Sequence, residues 1–118
     1  MSWVVYVAAC ADASLYVGIS NDLVARVRAH NAGTGARYTR SRRPIVVVWQ
    51  WWCGSSEEAR RLEGLMKRLP RRDRLRVVDG DLAFTAALLD RAWSRMRDRG
   101  AATARAPRRT RASAAPAT

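Results

Sequence analysis

Two short apolar runs at the start of the chain are separated by four small or polar residues. The runs are Trp3–Cys10, rich in valine and tyrosine, and Leu15–Ser20, and the residues between them read Ala-Asp-Ala-Ser. Runs of this length and composition on either side of a turn are typical of a β-hairpin. In the second run, Tyr16 and Gly18 fall on one face because alternate residues of a strand point to opposite sides of a sheet. The chain is therefore predicted to begin with a β-hairpin.

Further along the chain, helical spacing and capping residues alternate with one more apolar run. The predicted elements are a first helix capped at Asn21-Asp22 and running to Asn31, a third strand over Ile45–Trp52, a second helix from Ser55 to Leu69 and a third helix over Asp81–Arg97. The segment Gly33–Pro44 is predicted to be a loop, since Gly33-Thr34-Gly35 ends the first helix. The predicted fold class is α+β, with a small three-stranded sheet, mixed or antiparallel, flanked by helices.

The composition changes abruptly at Gly100. Residues 100–118 contain alanine, threonine, serine, proline and four arginines, with no acidic residue and no apolar residue larger than alanine. Such a segment buries too little surface to offset its ordering entropy, so it is predicted to be a disordered basic tail. Residues 1–99 are predicted to form a single domain. The tail is either an arm that adds phosphate contacts or a solvated end without a role.

The excess of positive charge is the strongest compositional signal. The chain has 22 lysines and arginines against 10 acidic residues, a formal net charge of +12, and such a surface attracts polyanions, of which nucleic acid is the commonest in cells. Selection for solubility is the alternative reading.

The longest apolar runs are too short to span a membrane and no secretory signal is visible, which favours a cytoplasmic protein. With two cysteines and one histidine, no zinc site is expected.

Five residues are candidates for chemistry. Glu63 lies within an apolar helical stripe, where a carboxylate is costly unless it is paired or binds a cation; a solvent-facing ion pair is the alternative. Arg26 and His30 share a helix face at i and i+4, and could bind phosphate and move a proton, or simply be solvated. Tyr6 and Tyr16 lie one on each strand of the hairpin, an arrangement that also occurs as an ordinary cross-strand pair.

The order and spacing of these residues resemble a GIY-YIG nuclease domain. Tyr6, Tyr16-Val17-Gly18, Arg26, His30 and Glu63 stand where that family has its motifs, although Val4-Val5-Tyr6 lacks the glycine and isoleucine of the first motif. The segments Ile19–Leu23, His30-Asn31, Gly33–Arg40 and Arg42–Pro44 resemble the small stand-alone bacterial branch. That branch is similar to the nuclease half of structure-specific endonucleases that cut branched DNA. The resemblance covers roughly Ser2 to Leu75.

The resemblance implies metal-dependent hydrolysis of DNA phosphodiester bonds, on branched or damaged DNA in repair. Glu63 would hold a single divalent cation, Mg²⁺ or Mn²⁺, and Arg26 would neutralise charge on the scissile phosphate. Tyr6 would activate or position the attacking water, Tyr16 would orient phosphate or water, and His30 would assist proton transfer. Gly18 would serve the motif structurally.

The predicted DNA contacts lie mainly beside these residues, in the segment Gly33–Pro44. They are Asn31, Arg37, Tyr38, Arg40, Arg42, Arg43 and, on the second helix, Lys67. A solvated loop is the alternative for this segment.

Two other functions remain open: a nucleic-acid-binding module with weak catalysis on the same scaffold, and an adaptor that binds another protein through an exposed face of the strand containing Trp49, Trp51 and Trp52. No protein partner is otherwise indicated.

Overall fold

The computed structural model describes residues 2–98. In chain order the elements are β1 (Trp3–Ala9), β2 (Leu15–Ser20), α1 (Leu23–Ala32), α2 (Arg37–Arg40), β3 (Val46–Cys53), α3 (Ser56–Arg68), α4 (Arg71–Val78) and α5 (Leu82–Asp98). The three strands form one antiparallel sheet in the order β2-β1-β3. The α+β class and the three-stranded sheet are thus confirmed. The tail predicted over residues 100–118 lies outside the described residues.

Both faces of the sheet are covered, by different helices. On one face, Val5 and Val7 of β1 pack in a buried cluster with residues of α3, α4 and α5, including Leu62, Val77 and Leu88. On the other face a smaller cluster contains Tyr6, Ala8 and Ile45, with Leu23 of α1 packed against it. Since successive residues of β1 alternate between these clusters, the sheet separates an apolar core from a second, more polar layer.

The helix caps follow the local sequence. Asp22 accepts a hydrogen bond from the backbone N–H of Ala25 and caps α1, and Ser55 accepts one from the N–H of Glu58 and caps α3. Glu57 and Glu58 occupy the first turn of α3, where the helix dipole favours negative charge. Asp22 is the cap residue itself, so the first turn of α1 contains no acidic residue.

Two short helices were not anticipated. The predicted loop Gly33–Pro44 contains α2, a single turn, and the chain between the second and third predicted helices forms α4. Five of the eight residues of α4 are charged, so its helical periodicity is weak, and its burial rests mainly on Val77. Packing against the core, rather than local propensity, accounts for this helix.

The tryptophan-rich strand β3 is mostly turned inward. Trp49 and Trp51 stack with ring centroids 6.1 Å apart and pack against the core cluster, whereas Trp52, on the opposite face, is exposed. A protein-binding role for this strand stays a prediction. Among residues 2–98, no helix combines the length and apolar character that crossing a membrane requires.

Candidate active site

Tyr6 sits at the centre of the polar layer, in a space created by a glycine. It is fully buried and pairs across the sheet with Gly18 on β2 and Gln50 on β3. A Cβ atom at Gly18 would lie 2.6 Å from the Tyr6 hydroxyl oxygen and 2.7 Å from its ring carbon Cζ. Only glycine therefore lets the Tyr6 ring lie across β2 at this position.

His30 is enclosed next to Tyr6. Its side chain is fully buried; Nε2 is 3.0 Å from the Tyr6 hydroxyl oxygen, and Nδ1 is 2.6 Å from Oγ1 of Thr39. Burial, reinforced by the nearby positive charge of Arg26, lowers the pKa of His30. The imidazole is therefore neutral near pH 7, and both of its nitrogens are occupied by hydrogen-bond partners.

Arg26 joins the two tyrosines. Its guanidinium interacts with the Tyr6 and Tyr16 hydroxyls, and these interactions, the one with Tyr6 above all, raise the pKa of Arg26. Burial raises the pKa of Tyr6 to about 12, even though the bond from Arg26 acts to lower it. A cation is thus held against two phenol oxygens on a half-buried surface of α1.

Tyr16 is the tyrosine that reaches the surface. It is half-buried, its ring meets the edge of His30 at 5.2 Å between centroids, and it stacks on exposed Tyr38 at 5.9 Å. The family resemblance implies that Tyr6 activates or positions the attacking water. Because Tyr6 has no exposed surface here, Tyr16 and Arg26 are the members of the group placed to meet a ligand.

Glu63 stands apart from the other four candidates. It borders the buried stripe of α3 formed by Ala59, Leu62 and Met66, its side chain is 21% exposed, and it forms an ion pair with Lys67 at 3.2 Å. Its negative charge contributes to the raised pKa of Tyr6, so it lies within electrostatic reach of the tyrosine. Within residues 2–98, no hydrogen bond or ion pair links it to the other candidates.

The carboxylate of Glu63 suits a cation that takes few protein ligands. In residues 2–98, no three or more histidine, cysteine, aspartate or glutamate side chains converge on a possible metal site. Mg²⁺ is commonly held by one or two carboxylates together with waters and phosphate oxygens. A cation held by Glu63 would compete with Lys67, its ion-pair partner at 3.2 Å, and a DNA contact at Lys67 stays a prediction.

The predicted DNA-binding residues divide into two groups. Three are bound within the protein: the Asn31 amide bonds to the N–H and C=O of Ile45 at 2.7 and 3.3 Å, Arg42 pairs with Asp12 at 2.9 Å, and Arg43 donates to the carbonyl of Arg40 at 2.9 Å. Arg37 and Arg40, on α2, are exposed. Tyr38 is 40% exposed, with the Arg42 guanidinium 4.0 Å above its ring centroid.

Comparisons with known proteins identify similar sequences and a matching family. Residues 2–76 match the family model described as the GIY-YIG catalytic domain. The chain is 43% identical over 75 residues to the UPF0213 protein SH2523 of Staphylococcus haemolyticus, covering 64% of this chain and 92% of that protein. It is 41% identical over 87 residues to the UPF0213 protein DP2720 of Desulfotalea psychrophila, covering 72% and 79%.

One solved structure is similar in sequence and, more loosely, in shape. It is the solution NMR structure of the UPF0213 protein BH0048 from Bacillus halodurans, with 40% sequence identity and a TM-score of 0.46, covering 67% of this chain and 84% of that one.

Proposed function

The chain belongs to the GIY-YIG catalytic-domain family, among the small UPF0213 proteins, and from this premise we propose that it is a metal-dependent endonuclease that hydrolyses DNA phosphodiester bonds. The observation that carries the proposal is the guanidinium of Arg26 held against Tyr6 and Tyr16 beside a neutral, buried His30. A fixed cation next to phenol oxygens is suited to a phosphate whose negative charge grows in the transition state.

The roles follow from exposure and hydrogen bonding. Arg26 neutralises charge on the scissile phosphate, and Tyr16, which is half-buried beside Arg26, orients the attacking water or the phosphate. Tyr6 and His30, both fully buried, keep Arg26 in position from the interior of the protein. The water oxygen bonds to phosphorus while the bond to the leaving oxygen breaks; the water loses a proton to solvent and the leaving oxygen gains one.

Glu63 would hold the divalent cation, and Mg²⁺ is our choice, with Mn²⁺ as a substitute. Enzymes of this family generally use divalent metal ions. When bound, such an ion lowers the pKa of water and offsets phosphate charge. A carboxylate at the edge of an apolar stripe, with a lysine as its ion-pair partner, supports this choice because a cation can displace an ammonium group from an exposed pair at little cost.

We place the substrate among DNA in the cytoplasm, with branched or damaged structures encountered in repair as the substrate class. The supporting features are the net charge of +12 and the exposed arginines beside Tyr16. The full burial of Tyr6 favours one competing function, a binding module with weak catalysis on the same scaffold, since a closed site binds DNA without cutting it.

Metal removal separates these two functions. We expect the protein to nick plasmid DNA and to cut synthetic branched DNA with Mg²⁺, and to lose cleavage, but not binding, in EDTA. Adding Mg²⁺ back in excess should restore cleavage. Binding that persists with no cleavage under any divalent cation would support the binding module instead.

The arginines of α2 should contribute to DNA affinity. Changing Arg37 and Arg40 together to glutamine should weaken binding and reduce the slope of log affinity against log salt by roughly one unit per lost phosphate contact. The measurement is a binding titration across a salt series. Arg42 is a poor choice for this test because it bonds to Asp12 and to the carbonyl of Tyr38.

Arg91 provides the matched control for the α2 variants. It is exposed on α5, which packs mainly against α3 and α4, so Arg91→Gln removes the same charge from another part of the surface. Equal changes in salt slope for Arg40→Gln and Arg91→Gln would show that the attraction is diffuse and that α2 makes no defined contact.

A further inference from the structure

Thr39 is a buried polar residue in the site that the motifs do not include. It lies on the single turn α2, is fully buried, and its Oγ1 is 2.6 Å from Nδ1 of His30 and 3.0 Å from the carbonyl oxygen of Ala36. A buried hydroxyl is stable only when its hydrogen-bonding capacity is used. Its two contacts raise the question of which group donates to which.

Only one placement of the protons gives every one of these buried groups a donor or an acceptor. Arg26 has donors only, so toward the neighbouring Tyr6 oxygen it can act only as a donor. If Nε2 of His30 carried the proton, it too would donate to that oxygen, and the buried Tyr6 hydroxyl would have no acceptor among the contacts of the described residues. With the proton on Nδ1, Tyr6 donates to Nε2, His30 donates to Thr39, and Thr39 donates to Ala36.

The result is a chain of hydrogen bonds that all run in one direction. It leads from the Tyr6 hydroxyl through His30 and Thr39 to the backbone carbonyl of Ala36, with the Arg26 guanidinium next to the Tyr6 oxygen. Because each bond polarises the next, such chains strengthen their members in a buried, low-dielectric setting. With its proton directed at His30, the Tyr6 oxygen presents its lone pairs to Arg26, whereas in the other tautomer that proton would lack an acceptor among these contacts.

We propose that Thr39 is a positioning residue that fixes the Nδ1–H tautomer of His30 and so sets the orientation of Arg26. This inference rests on the proposed function, in which Arg26 meets the phosphate. Thr39 touches neither substrate nor cation; it acts through His30 and Tyr6.

The backbone around Thr39 is shaped to bring it to His30. A Cβ atom at Gly35 would lie 2.5 Å from Nδ1 and 2.8 Å from Cα of His30, so only glycine lets this segment pass so close to the imidazole. The left-handed turn at Gly33, with φ of 87°, starts the same approach. The segment from residue 33 to 39 thus wraps the Nδ1 side of His30 and supplies its acceptor.

The tautomer can be measured without DNA. His30 is the only histidine in the chain, so its imidazole nitrogens give a single, unambiguous set of signals in a ¹⁵N–¹H NMR spectrum of the full chain above pH 7. We expect a protonated, pyrrole-type Nδ1 and an unprotonated, pyridine-type Nε2 in the native protein. The opposite pattern, with the proton on Nε2, would overturn the inference.

Kinetics then test whether the tautomer matters for Arg26. Thr39→Val preserves the shape of the side chain and removes the acceptor; we expect the His30 signals to move toward the Nε2–H form and the saturated cleavage rate to fall about tenfold, with DNA affinity within about twofold of native. Thr39→Ser keeps the side-chain hydroxyl and should restore both the tautomer and most of the rate. Saturated rate and affinity are compared because a general loss of structure would change both.

Thr85 supplies the matched control. It is the other buried threonine among residues 2–98 and lies on α5, so Thr85→Val tests the removal of a buried hydroxyl unconnected to His30 and should change neither the tautomer nor the rate. A normal rate in Thr39→Val would refute the positioning role even with the expected tautomer in the native protein. Absence of cleavage by the native protein would refute the proposed function alone, because the NMR pattern decides the tautomer independently.

Discussion

Glu63→Gln should lower the saturated rate of DNA cleavage at least about 100-fold, while DNA affinity and the thermal midpoint stay near native. The amide keeps the size of the side chain but is a far weaker ligand for a hard divalent cation, and loss of the cation removes several kcal/mol of transition-state stabilisation. Stability should change little, because the pair with Lys67 is exposed enough to contribute at most about 1 kcal/mol. Single-turnover cleavage in Mg²⁺, with a parallel binding titration, measures both quantities.

Glu57→Gln is the control for this variant. It makes the same substitution on the same helix, at an exposed position in the first turn of α3, near Arg61, and should cleave at the native rate. Retention of cleavage by Glu63→Gln over a range of Mg²⁺ concentrations would remove Glu63 as the metal ligand. A matching fall in both variants would point to helix stability rather than to the cation.

Arg26→Ala should reduce the saturated cleavage rate by at least about 100-fold, the scale expected for losing one preorganised donor at a developing negative charge. The loss should appear mainly in the rate and less in DNA affinity, since the guanidinium is positioned beside Tyr6 and Tyr16 to meet negative charge that develops in the transition state. Arg26→Lys should restore only part of the rate, because an ammonium group lacks the planar fork that contacts both phenols.

A second readout for Arg26 does not depend on cleavage. The bond from Arg26 lowers the pKa of Tyr6, against the larger effect of burial, so Arg26→Ala should move ionisation of this tyrosine to higher pH in a spectroscopic titration. Arg28→Ala is the control, since Arg28 is exposed two residues further along α1. If Arg26→Ala weakens binding but cleaves at the native rate once saturated, then Arg26 is an ordinary phosphate contact.

Much of the framework was predictable because it depends on neighbours in the chain. The apolar runs predicted three strands that the structure has to within about a residue, and Asp22 and Ser55 predicted the starts of α1 and α3, since a cap bonds to a backbone N–H three residues away. The i and i+4 spacing also placed Arg26 and His30 on one side of a helix. Local physics is sufficient for each of these conclusions.

Other predictions failed where long-range packing decides. The helix α4 has a weak periodicity of its own and is stabilised by contacts with the core, and α2 forms where the chain turns around His30. No spacing rule shows that Arg42 is half-buried and pairs with Asp12, or that Arg43, although exposed, donates to the carbonyl of Arg40. For Arg42 the reason is physical proximity in the fold, since its partner Asp12 lies 30 residues away in the sequence.

The sequence by itself determined the α+β framework, the family and the identities of the candidate residues, because periodicity, capping and motif spacing are properties of neighbouring residues. Only the tertiary structure decided how those residues meet: Tyr6 enclosed above Gly18, Glu63 set apart on α3, and Thr39 brought within 2.6 Å of His30. Burial and hydrogen-bond direction arise when segments distant in sequence pack together. For that reason a threonine outside every motif could become the acceptor that orients the histidine.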